Sequence, residues 1–108
     1  MNMLKLLTAA LTLGVVMSAA SAQDQRPTVV LVHGAFADSS SWNGVLTELI
    51  SKGYPVIAVA NPLRGLTYDS EYLRQFLSTI PGPLVLVGHS YGGAVITNAA
   101  TGNTNVTS

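Results

Sequence analysis

Three short runs of β-branched and aliphatic residues, Thr28–Val32, Tyr54–Ala60 and Leu84–Val87, set the frame of this chain. None alternates apolar with polar positions, so each reads as a strand covered on both faces. Between the first two, Trp42, Val45, Leu46, Leu49 and Ile50 fall at i, i+3, i+4, i+7 and i+8, the apolar stripe of a helix. Tyr72, Leu73, Phe76, Leu77 and Ile80 mark a second helix over Asp69–Ile80, and Ala94–Ala100 suits a third, built of small residues. Strand and helix therefore alternate three times. That order predicts an α/β fold with a parallel sheet, right-handed helical crossovers and helices on both faces.

The breaks fall where this scheme needs them. Ser41 or a neighbouring serine can cap the first helix and Gly53 can close it. Pro55 stands at the start of the second strand, where a missing donor does least harm. Asn61–Gly65 is a loop, Pro81-Gly82-Pro83 ends the second helix, and Gly102 is a stop for the third. The tail, Asn103–Ser108, is polar except for Val106 and has the look of an approach to a fourth strand.

Composition removes several functions. Hydrophobic residues make up 48% of the chain and charged ones 9%, which excludes a disordered polymer. The formal net charge is zero, without the clustered basic face that nucleic acid requires. Cysteine is absent, so there is neither a disulfide framework nor a thiolate nucleophile. His33 and His89 lack a second histidine or cysteine at ligand spacing, and no metal is expected.

The N-terminus carries an address. Met1–Lys5 is a basic start, Leu6–Met17 is apolar and uncharged, and Ser18–Ala22 ends in an Ala-x-Ala pattern. This is expected to be a signal peptide, residues 1–22, cleaved after Ala22. Its apolar run is shorter than the ~20 residues of a membrane span. Residues 23–108 are then a soluble, secreted or periplasmic segment.

The chemistry concentrates in Gly88-His89-Ser90-Tyr91-Gly92, a Gly-x-Ser-x-Gly motif between the third strand and the third helix. A sharp turn there would expose the Ser90 hydroxyl beyond the strand end, with Gly88 and Gly92 allowing neighbouring backbone to approach. The helix that follows would aim its N–H groups at the same point, favouring developing negative charge. His33-Gly34-Ala35-Phe36 closes the first strand, and the carboxyl ends of parallel strands share one edge. An oxyanion hole needs two backbone donors, and the Tyr91 and Ala35 N–H groups are the candidates.

Val29–Trp42, Asn61–Leu66 and Pro83–Ala94 resemble the alpha/beta-hydrolase family, in particular its bacterial branch similar to plant methyl-ester esterases and hydroxynitrile lyases. The resemblance implies Ser90 as nucleophile, Ala35 and Tyr91 amides as oxyanion hole, a small ester-like substrate and no cofactor. It also implies an acid and a histidine, in that order, after the serine. No Asp, Glu or His follows Ser90, so residues 23–108 are expected to be the N-terminal portion of one such domain, truncated before those two groups and inactive alone. Cyanohydrin cleavage and peracid formation stay open on the same elbow, as does a non-catalytic fragment.

Other residues receive plainer readings. His33 is expected to hold the oxyanion loop, and His89, adjacent to Ser90, points the wrong way to act as its base. Asp69 suits a helix N-terminus. Asp38 could join a triad only in poor geometry. Trp42 is expected in the core, Phe36 and Tyr91 could line an acyl pocket, and Arg64 is a loop charge. A phosphate cradle would need Gly-x-Gly-x-x-Gly or a Walker lysine, and the turn has neither. The oligomeric state is not encoded legibly.

Overall fold

A computed structural model describes residues 26–108. Strand β1 (Thr28–Val32) lies at the centre of a parallel sheet, flanked by β2 (Val56–Val59) and β3 (Leu84–Gly88), in the order β2-β1-β3. The register runs from Val29↔Val56 to Val32↔Val59 on one side and from Thr28↔Leu84 to Val32↔Gly88 on the other. A central strand is covered everywhere, and Val30 and Leu31 are fully buried. Pro55 precedes β2, and its carbonyl accepts the Val29 N–H at 2.9 Å, so its missing donor leaves no gap in the ladder.

The helices sit on both faces of this sheet. After a 3-10 turn (Ser39–Trp42) comes α1 (Asn43–Ser51), then α2 (Leu66–Ser78) and α3 (Tyr91–Ala99). Val30, Val32, Val59, Leu84 and Leu86 face α2 and α3 and form the core with Leu73, Leu77, Val95 and Ala99. Burying a side chain such as Leu77 stabilises the fold by about 1.5–3 kcal/mol. Strand side chains alternate, so Val29 and Leu31 face the other way, where α1 and the 3-10 turn contact the sheet.

Several boundaries differ from expectation for local reasons. The 3-10 turn is capped by Asp38, whose carboxylate accepts the Ser40 N–H at 2.9 Å, and not by Ser41. Helix α1 is closed as expected: Gly53 takes φ +82°, its N–H reaches Ile50 O at 3.0 Å, and the Tyr54 N–H reaches Leu49 O at 3.1 Å. Yet none of its residues is buried among the described residues, and Val45 and Ile50 stand exposed. Trp42 is half-buried and outside the core cluster, contrary to expectation. Helix α2 starts three residues before Asp69, because Gly65 at φ +110° turns the chain in early. Its Tyr72 is exposed, leaving Leu73 and Leu77 as the buried stripe. Helix α3 starts at Tyr91, taking in two glycines that sequence propensity alone would leave outside.

The tail continues the sheet. Val106 pairs in parallel with Leu84, the Leu84 N–H donates to Asn105 O at 2.8 Å, and the Leu86 N–H donates to Ser108 O at 2.8 Å. The outer edge of β3 is covered along this stretch. The signal-peptide reading falls on residues outside those described. No helix among the described residues is long and apolar enough to cross a membrane.

Candidate active site

Because Val32 and Gly88 are register partners, β1 and β3 end side by side, and their following turns meet. A Cβ on Gly88 would lie 2.6 Å from the Gly92 carbonyl carbon and the Gly93 nitrogen. A Cβ on Gly92 would run into the carbonyl oxygens of Val32 and His33. Both glycines are thus required by backbone packed on backbone, which fixes the sharp turn between them. At its apex Ser90 takes φ +54° and ψ −120°, costly for a residue with a side chain, of order 1–3 kcal/mol. The turn is held by the His89 N–H on Val32 O at 3.1 Å and the Gly92 N–H on His89 O at 2.9 Å. Ser90 is exposed at the N-terminus of α3, and no described side chain hydrogen-bonds its hydroxyl.

The loop after β1 lies on this elbow. A Cβ on Gly34 would sit 3.2 Å from His89 O and 3.5 Å from Ser90 Cβ, so the two candidate motifs touch. The N–H groups of Ala35 and Tyr91 have no acceptor among the described residues. Phe36, next in the loop, projects fully into solvent. Asp38 lies beyond it, and its hydrogen bonds from the Ser40 hydroxyl and N–H hold its carboxyl below the usual range.

His33 secures the loop from below. It is 2% exposed; its Nε2 accepts the Asn61 N–H at 2.9 Å, while Nδ1 lies 2.8 Å from Gly34 O. An N–H donor at Nε2 places the proton on Nδ1, which donates to the Gly34 carbonyl. The Asn61 side chain returns a bond to His33 O at 3.3 Å. Both ring nitrogens are committed, so His33 is not available to Ser90 as a base. His89 is exposed and lines a cavity of about 220 Å³ with Ser41, Trp42 and Val45.

Two contributors escaped the sequence reading. Asn61 ends the β2 side of the site, in a loop whose polar residue carries no local signal of its partner. Asp69, read as a helix-end carboxylate, is in the first turn of α2 but fully buried, and it accepts the Tyr91 phenol at 2.5 Å. Burial, followed by that bond and the Asp69 charge, pushes the Tyr91 phenol up to about 12. Tyr91 is thereby anchored toward α2, away from a role as free pocket lining. Arg64 adds its backbone N–H to Asp69 at 2.9 Å, while its guanidinium lies 5.8 Å from the Tyr68 ring.

Comparison with known proteins places the fold in a family. Residues 29–107 match the model of the alpha/beta hydrolase family. Methylesterase 3 of Arabidopsis thaliana is 33% identical over 87 residues, covering 68% of this chain and 33% of the plant protein. The alpha/beta hydrolase nvfD of Aspergillus novofumigatus is 30% identical over 87 residues, covering 71% of this chain and 35% of its own. The chain spans about a third of the length of these relatives. Among solved structures, an extracellular alpha/beta-hydrolase from a Paenibacillus species superposes with a TM-score of 0.67 at 22% identity. The match covers 74% of this chain and 37% of that one, a protein described as sharing structural and functional homology with tobacco salicylic acid binding protein 2.

Proposed function

The chain belongs to the alpha/beta-hydrolase family, and on that premise we propose that it bears the nucleophile and oxyanion hole of an esterase-type serine hydrolase. Ser90 attacks the carbonyl carbon of an ester or related substrate, and the Ala35 and Tyr91 N–H groups stabilise the oxygen as it becomes negative. The observation that carries this reading is the pairing of Ser90 at φ +54° with a glycine loop seated on it. Strain of that kind persists only where the surroundings over-determine it, and here Gly88, Gly92 and the β1 carbonyls do so.

A serine hydroxyl is a weak nucleophile until a base takes its proton. With both of its ring nitrogens engaged, His33 does not serve as that base, and residues 23–108 alone are expected to lack turnover. The reaction so written needs neither a metal nor an organic cofactor. A small ester substrate fits the methylesterase among the relatives. Export after cleavage at Ala22 fits the basic, apolar and Ala-x-Ala sequence of the N-terminus and the extracellular setting of the Paenibacillus protein.

The test is hydrolysis of a short aryl ester by the whole protein and its Ser90→Ala variant. Loss of turnover by about four orders of magnitude or more is expected, with a small residual from the oxyanion hole. Equal turnover in both would overturn the assignment.

A further inference from the structure

We propose that Asp69 is a positioning residue for the oxyanion hole: it holds the Tyr91 side chain, and through it the Tyr91 backbone N–H beside Ser90. This rests on the nucleophile reading above and extends it to a residue on a different helix, 22 positions away in sequence.

Asp69 is fully buried, yet neither of its partners is a cation. Oδ1 accepts the backbone N–H of Arg64 at 2.9 Å and Oδ2 accepts the phenol of Tyr91 at 2.5 Å; the Arg64 guanidinium is turned toward Tyr68. A carboxylate that merely favoured the N-terminus of α2 would do so from solvent. Burying one without a counter-ion is costly, and the cost is met only where every lone pair finds a well-placed donor. The short phenol bond is of the charge-assisted kind, stronger and more directional than a neutral one.

What this bond fixes follows from the sequence around it. Tyr91 is the first residue of α3 and directly follows the strained Ser90, while Gly92 and Gly93 after it carry no side chains. Tyr91 therefore supplies the only side chain in that opening stretch with which the rest of the fold can grip the elbow. Its ring packs against the core cluster, and its tip is tied to α2 by Asp69. With the ring fixed at both ends, the Cα and the N–H of Tyr91 are fixed too. An oxyanion donor acts through pre-set geometry, and loss of one donor altogether costs about 10²–10³ in kcat. Loosening it should cost part of that.

The experiment uses the whole protein and three variants, Tyr91→Phe, Asp69→Asn and the double variant, each first checked for cooperative unfolding. Tyr91→Phe keeps the ring and removes the hydroxyl; about a tenfold loss in kcat is expected with KM within about twofold, the pattern of an interaction made in the transition state. The double variant should lose no more than Tyr91→Phe alone, because both changes break one coupled pair. A folded Tyr91→Phe enzyme with parental kcat, a loss confined to KM, or single losses that multiply would overturn the proposal. Fluorophosphonate labelling separates the two levels. An unlabelled parent removes the nucleophile reading and this inference with it, whereas Tyr91→Phe labelled at the parental rate removes this inference alone.

Discussion

Asn61 donates its backbone N–H to Nε2 of His33 across 2.9 Å, tying together the ends of two neighbouring strands beneath the glycine loop. One imidazole thereby joins the β2 end to the Gly34 carbonyl, and the loop that meets Ser90 is set by a buried side chain, not by its own flexible residues.

His33→Ala should therefore cost more than a surface change. It leaves the Asn61 N–H buried without an acceptor, a loss of about 1–3 kcal/mol. Urea unfolding of the variant should show a lower midpoint with an unchanged slope; equal midpoints would mean the bond is dispensable.

The two glycines after Tyr91 separate packing from propensity. Gly92→Ala drives a Cβ into the Val32 carbonyl, and a backbone neighbour cannot swing aside, so destabilisation of about 1–3 kcal/mol is expected. Gly93→Ala meets nothing within 4 Å in a helical position and should stabilise by about 0.5–1 kcal/mol. Thermal unfolding of both variants reads the contrast, and equal effects would contradict the elbow geometry.

These glycines also mark where the sequence is legible. Strand β1 is read to its ends, because a β-branched run between a proline and a His-Gly turn admits little else. The start of α3 is misplaced by three residues, since the need for Gly92 comes from Val32, sixty residues earlier and invisible to local propensity. Asp69 is recognisable as a helix-start carboxylate, but its bond to Tyr91 depends on how α2 and α3 pack. The stripe of α1 is legible as a helix, while its half-exposed Trp42 depends on what covers that face.

Alkaline pH should report the Tyr91 environment. Its proton is held to about pH 12 in the fold against about 10 in the unfolded chain, so between these values the native state binds more protons. Stability from this group is then full below about pH 10 and falls as pH rises toward 12. Tyr91→Phe should flatten the decline of the urea midpoint across that window; an unchanged slope would contradict the assignment.

The tail should protect the outer edge of β3. Ending the chain at Asn103 removes the acceptors of the Leu84 and Leu86 N–H groups and exposes an apolar strand edge. Sedimentation velocity should show more concentration-dependent association for this shortened chain than for residues 23–108. Identical profiles would mean that Val106 and its neighbours do not shield the edge.

Ser90, held at φ +54° under the Gly34 loop, is the residue proposed as nucleophile. The direct measurement is peptide mass spectrometry of the whole protein after reaction with a fluorophosphonate, which forms a stable adduct only on an activated hydroxyl. One adduct per chain is expected, on the peptide bearing Gly88-His89-Ser90-Tyr91-Gly92, and none in Ser90→Ala. An adduct on a different residue, or an active esterase whose Ser90 stays unmodified, would contradict it.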